Sequence, residues 1–226
     1  MSTVADPFAF LSAAAVAGDA ELRTPMERSH VAAGAEIEHH DGWRIAAYPG
    51  NGEPAAWAAD ASHHGKIDVR GTSAEIGDVT GGLEIGQASQ VDGVWTLRLS
   101  PTHAIVLCPF GRVEELRSRI ASQESLCVVD MTCGWAGVVI GGELVREVFM
   151  RSSSLDVRPD RFPPGACMAG SVMRCGSIVL NDDGNFWVLC GWEFGEYMWD
   201  SLLDAGAGFG IAPVSAGVAL GREVAA

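Results

Sequence analysis

Lysine is almost missing from this 226-residue chain: Lys66 stands alone against 14 arginines. Cations of either kind number 15 against 29 carboxylates, a formal net charge of −14. That balance excludes a broad basic face for nucleic acid or for an anionic membrane surface. The few cations are mostly planar forks suited to carboxylates and phosphates, although a GC-rich genome would leave the same bias. No apolar run approaches the roughly 20 residues that cross a bilayer. Residues 1–20 lack the basic stretch of a secretory signal and are interrupted by Asp6-Pro7. The six cysteines (108, 127, 133, 167, 175 and 190) form no C-x-x-C pair and no zinc spacing. Cys108, Cys127 and Cys190 sit in apolar runs, where a free thiol acts as a small hydrophobe. A reduced, cytoplasmic setting is the expectation. No phosphate-cradling glycine loop follows a strand, and Gly141-Gly142 is too short for a diphosphate. His39-His40 and His63-His64 are adjacent pairs, whose rings point to opposite faces of an extended chain. No metal site is expected.

What is present indicates a folded, turn-rich chain, with 48% hydrophobic residues and 28 glycines. The length suits one large domain or two small ones. The most structured stretch runs from Val128 to Gly165. Val138, Val139 and Ile140 form a β-branched run, and Gly141-Gly142 permits a tight reversal. Leu144, Val145, Val148 and Phe149 then follow at helical spacing, leaving Arg146 and Glu147 for solvent. Ser152 to Pro159 cannot continue that helix, and it presents Asp156 beside arginines. The same opening occurs seventy positions upstream. Asp60 matches Asp130, Ser62 matches Thr132, Val69 matches Val139 and Gly71 matches Gly141 without a gap, which suggests two related halves.

Along the chain, Asp6-Pro7 opens an expected helix over 8–17 within an N-terminal extension, residues 1–23. Asp41-Gly42 and Asp92-Gly93 are hairpin signals, with strands expected at 43–48, 83–91, 94–99 and 104–108. Val113, Leu116 and Ile120 stripe a helix over 112–121. Strands at 170–180 and 185–190 are joined by Asn181-Asp182-Asp183-Gly184. A helix over 194–205 turns Tyr197, Met198, Ser201 and Leu202 inward, and the chain from Gly208 reads as flexible. Short turns between many strands make α+β likelier than a doubly wound sheet.

These segments resemble a known family. ADASHHGKIDVRG (Ala59 to Gly71), with Thr24-Pro-Met to Trp43 upstream, is similar to the folate-binding fold of the glycine-cleavage T protein. SSLDVRPDRFPPGAC and EYMWDSLLDAG are more similar to the gamma subunit of heterotetrameric sarcosine oxidase. The resemblance covers 24–217 and leaves 218–226 as a tail. It implies an aminomethyltransferase-like α+β domain, mostly antiparallel sheets with flanking helices, around tetrahydrofolate in a central cavity. Asp156 matches the aspartate of the family's Thr-Asn-Asp-Val loop and would be the catalytic carboxylate, against the alternative that it caps a turn. A carboxylate there accepts hydrogen bonds from folate amines, stabilises a developing iminium and helps relay a proton. The cofactor-binding residues implied are His63, His64, Trp135, Arg158, Arg174, Trp192 and Glu193. Trp135, Trp187 and Trp192 equally suit core packing or a subunit interface.

Three departures bear on function. The T protein's C-terminal barrel is absent, Ala219 replaces the first arginine of its folate-tail segment, and its Gly-Glu-x-Gly-Tyr-Glu element is compressed into 191–196. Two functions are therefore expected. One is a gamma-like subunit of an amine-demethylating complex, with flavoprotein partners and no flavin of its own. The other is a stand-alone tetrahydrofolate-dependent methyl or methylene transferase using Asp156 on a small one-carbon donor.

Overall fold

The computed structural model describes residues 21–49, 54–123 and 125–219. The expected helix over 8–17 lies outside them. Strand β1 (Leu22–Arg23) pairs in parallel with β3 (Trp43–Ala47), and β3 pairs antiparallel with β2 (Glu36–His40). Asp41 and Gly42 turn that hairpin with φ of 50° and 80°, the left-handed pair that a two-residue loop needs. Between β1 and β2 lies helix α1 (Glu27–Ala32), which packs on β3.

Two copies of one unit follow. The first is β4 (Ala56–Asp60), β5 (Gly65–Arg70), α2 (Ser73–Val79), β6 (Ala88–Val91), β7 (Val94–Ser100), β8 (His103–Cys108) and α3 (Val113–Ala121). The second is β9 (Cys127–Asp130), β10 (Trp135–Gly141), α4 (Val145–Ser152), β11 (Cys167–Val172), β12 (Cys175–Asp182), β13 (Asn185–Gly191) and α5 (Gly195–Gly206). Strand β14 (Ile211–Pro213) and helix α6 (Ala216–Ala219) come last. Each unit gives its first strand to the other. The sheets run β6-β7-β8-β5-β9 and β11-β12-β13-β10-β4-β14, antiparallel except for β14 beside β4.

The repeat seen in the sequence is real, but it needs one inserted residue. Asp60 lies opposite Val138, and its counterpart Asp130 lies opposite Ile67. The strands therefore correspond at an offset of 71 (138 − 67), while the Asp-x-Ser/Thr turns correspond at 70 (130 − 60). Val69 thus matches Ile140 rather than Val139, and Gly71 matches Gly142 rather than Gly141. The extra residue falls between Thr132 and β10, where a loop absorbs it without disturbing the alternation of either strand.

The inner faces of the two sheets share one apolar cluster. Trp95, Leu97, Ile105 and Leu107 from one sheet meet Val139, Leu180, Trp187 and Leu189 from the other. Helices cover both outer faces. Ile76, Val113 and Leu116 pack on the five-stranded sheet. Val145, Phe149, Met198, Trp199 and Leu202 pack on the six-stranded one.

Other expectations need correction. Residues 83–86 are irregular with a turn at 85–86, Gln87 makes only an isolated bridge to Ala166, and the strand begins at Ala88. The strand expected over 170–180 is a hairpin turning at Met173-Arg174, with φ of 47° and 63°. Neither residue is a turn former, so the composition gave no warning. The segment after Gly208 is not loose: Ile211–Pro213 completes a sheet edge. Tyr197 is exposed, and Trp199 takes the inward position on α5 instead. Cys127 and Cys133 are exposed, whereas Cys108, Cys167, Cys175 and Cys190 are buried. Burial pushes the Cys108, Cys167 and Cys190 thiols up to about 12. Burial also raises the Cys133 thiol, so titration with a thiol reagent should find Cys127 fast, Cys133 slower and four that react only on unfolding.

Candidate functional site

The densest buried polar chemistry lies where the units exchange strands. Asp60 and Asp130 each accept a hydrogen bond at 2.9 Å from the backbone two residues on, at Ser62 and Thr132. Each turn then reaches across to the other unit's strand. Ser62 Oγ accepts from Gly137 N at 3.1 Å, and Thr132 Oγ1 accepts from Lys66 N at 3.2 Å. Ala61 N donates to Gly137 O at 2.8 Å, and Met131 N donates to Lys66 O at 2.7 Å.

Lys66, fully buried, occupies this crossing. Its ammonium donates to Ser62 O and His64 O, both at 2.8 Å, and to Thr132 O at 3.4 Å. Burial pulls its pKa down to about 8, against the attraction of Asp60. Gly137 faces the lysine stem, where a Cβ would stand 3.4 Å from Cε.

His30, a residue the sequence did not single out, grips the first turn. Its Nε2 lies 3.0 Å from Asp60 and its Nδ1 lies 2.8 Å from the Tyr48 hydroxyl, while Trp199 packs edge-on at 4.5 Å. Burial acts to raise the Asp60 pKa, but the hydrogen bond and charge of His30, with bonds from Thr24 and Ser62, hold it below the usual range. Burial lifts Tyr48 to about 12, so its hydroxyl stays neutral beside the imidazole. Removing the imidazole leaves a buried carboxylate uncompensated, so His30→Phe should cost about 3 kcal/mol. Asp60's folded pKa is depressed, so its contribution is present above its ordinary value of 3.8 and is lost as pH falls through the folded value. Chemical denaturation from pH 7 to pH 3 should show that acid sensitivity in the wild type and lose it in His30→Phe.

The residues expected to bind folate do not converge. Asp156 is exposed and held by Arg158, whose Nε donates to it at 2.8 Å. The hydrogen bond from Arg158 brings the Asp156 carboxyl down to about 2. Its neighbour Val157 is buried in the cluster beneath α4 and α5, and Arg146 donates to the Val157 carbonyl. The loop therefore belongs to the outer, helical face of the six-stranded sheet. Arg174 is exposed at the β11–β12 turn. Trp135 packs on the opposite, inter-sheet face with Trp187. His64 lies edge-on to Trp187 at 5.3 Å and to His63 at 4.6 Å, and burial drives His63 down to about 4, which leaves it neutral. Trp192 tilts against Trp43 at 6.2 Å. Glu193 is exposed and folds its carboxylate over Gly191. The structure does not bring these residues together: Asp156 is separated from Trp135 and His64 by the sheet itself. Among the described residues, no group of three or more His, Cys, Asp or Glu is arranged to hold a metal.

Paired units with crossed first strands define an aminomethyltransferase-like α+β fold. The chain superposes on the glycine cleavage system aminomethyltransferase T from Bartonella henselae with a TM-score of 0.71 at 16% identity, covering 86% of this chain and 60% of that one. It superposes on a chain of the heterotetrameric sarcosine oxidase from Corynebacterium sp. U-96, in complex with pyrrole 2-carboxylate, with a TM-score of 0.66 at 19% identity. That match covers 85% of this chain and 98% of the other. Residues 84–208 match the sarcosine oxidase, gamma subunit family, and the chain belongs to that family. A search of curated proteins finds no match. No helix among the described residues is long and apolar enough to cross a membrane.

Proposed function

We propose that this chain is the gamma-type subunit of a sarcosine oxidase-like, amine-demethylating complex in tetrahydrofolate-linked one-carbon metabolism. It contributes by assembly with flavin-bearing subunits in the cytoplasm rather than by chemistry of its own. One observation carries the reading. The space between the sheets is occupied by Trp95, Trp187, Leu97, Leu107 and Leu189, while Asp156 faces water, neutralised by Arg158. A carboxylate so placed stabilises no charge in a closed pocket, because solvent screens it.

The test is calorimetric titration of the purified chain with tetrahydrofolate, alongside recovery of the tagged chain from cells that carry its partners. The expected result is no saturable heat from the isolated chain, and flavin absorbance with sarcosine-dependent oxidase activity in the recovered complex. Saturable binding that weakens in Asp156→Ala would overturn the reading in favour of a stand-alone transferase. With its carboxylate exposed, Asp156→Ala should leave the unfolding midpoint unchanged.

A further inference from the structure

The two units are alike enough to serve as controls for one another, and their outer faces differ between the paired helices. Helices α2 and α4 correspond at an offset of 72: Thr80 Oγ1 donates to Ile76 O at 2.8 Å, and Ser152 Oγ donates to Val148 O at 2.7 Å. Strands β8 and β13 correspond at 82, because Gly65 lies opposite Cys108 and its counterpart Ala136 lies opposite Cys190. The single 3-10 turns after them, Phe110–Arg112 and Trp192–Phe194, keep that offset into α3 and α5. Thr96 faces Val106 and Val179 faces Val188, so β7 and β12 correspond at 83.

In the second unit α4 packs directly against α5, and Val179 and Leu202 are fully buried beneath them. In the first unit the corresponding Thr96 and Ile120 are only partly buried. There α2 and α3 are parted by a trough of about 240 Å³ floored by Val79, Val94, Val106 and Leu116. It runs on into a second hollow of about 200 Å³, which shares Val94, Thr96 and Arg119 and ends at Val91 and Arg112. Val91, on the edge strand β6, is 68% exposed. On the wall formed by α3 and the turn before it, Arg112 and Arg119 share Glu115 at 3.5 and 4.0 Å, two guanidiniums to one carboxylate. The far ends of the trough carry Asp78 and Asp92.

We propose that this trough is where the flavin-bearing subunit of the complex docks, through a short segment with apolar side chains on one side and a carboxylate on the other. This rests on the function proposed above. The apolar side would cover the gap that direct α4–α5 packing closes in the second unit, and the carboxylate would pair with Arg112 and Arg119. Planar forks hold such a carboxylate in a fixed orientation.

Thr96 projects from the floor into both hollows, so Thr96→Trp plugs the trough while Thr96→Val keeps its shape. The measurement is flavin absorbance per recovered tagged chain from cells carrying the partners, with thermal unfolding of each chain alone. Thr96→Trp should lower flavin recovery at least 10-fold, and Thr96→Val should match the wild type. Arg119→Glu, a reversal on an exposed side chain, should weaken recovery about 10-fold even where Thr96→Trp folds poorly. Wild-type recovery by both Thr96→Trp and Arg119→Glu would overturn the docking site and leave the assembly itself standing. A wild-type chain recovered without flavin would overturn both.

Discussion

Lys66→Met should cost the isolated chain about 3 kcal/mol of stability near neutral pH, since the buried Ser62, His64 and Thr132 carbonyls would each lose a donor. Methionine matches the stem but supplies no hydrogen bond. Lys66→Arg should do no better, because the lysine is fully enclosed and the guanidinium is wider. Denaturant midpoints at pH 7 measure the loss, and a wild-type midpoint in Lys66→Met would show that the ammonium contributes nothing at the crossing.

The same residue sets a pH dependence of defined sign. Lys66's folded pKa, about 8, lies below its ordinary 10.5. Between those values the unfolded chain holds a proton that the folded chain has shed, so this residue's contribution grows as pH rises. The full gain is roughly 3 kcal/mol. Buried thiols act in the opposite direction above pH 9, since their folded pKa values lie near 12. The difference between wild type and Lys66→Met across pH 7–10 isolates the lysine. It should widen in favour of the wild type as pH rises.

The second large effect is expected at Gly142. Its φ of +98° is open to glycine and strained for other residues, and a Cβ there would lie 2.6 Å from Ala55 O. That carbonyl is not free to retreat, because it accepts the bond from Leu144 N at 2.8 Å that starts the turn into α4. Gly142→Ala should cost roughly 3 kcal/mol, combining backbone strain with displaced backbone. Gly141 differs in cause. Its φ is ordinary, but a Cβ would strike the Trp57 ring and Asn185. Thermal unfolding of Gly142→Ala within a degree of wild type would contradict the strain argument.

Local chemistry made much of the fold legible. Asp41-Gly42, Asp92-Gly93 and Asp183-Gly184 all turn hairpins at positive φ. The stripe of Val145, Val148 and Phe149 is buried beneath α4. Pairing between distant strands was less visible, because strand alternation does not name its partner. The exchange of β4 and β9 therefore could not be read, nor could the inserted residue beyond Thr132. The site suffered most. Asp156 has the right neighbours in sequence, but Val157 anchors its loop to the outer face of the sheet and leaves the carboxylate in water. His30 carried no motif, since its partners Tyr48 and Asp60 are 18 and 30 positions away. The lone lysine was conspicuous as a count. Its role depends on three carbonyls that only the folded crossing gathers.

The traded first strands bear on how such a chain could arise. A single copy of the unit, made as two separate polypeptides, could satisfy every one of these pairings by lending its leading strand to its twin. The protein thus has the layout of a swapped homodimer fused into one gene product. Cutting it between α3 and β9 would yield two fragments, one missing the edge strand β9 and the other missing β4 from between β10 and β14, and each obliged to find the other.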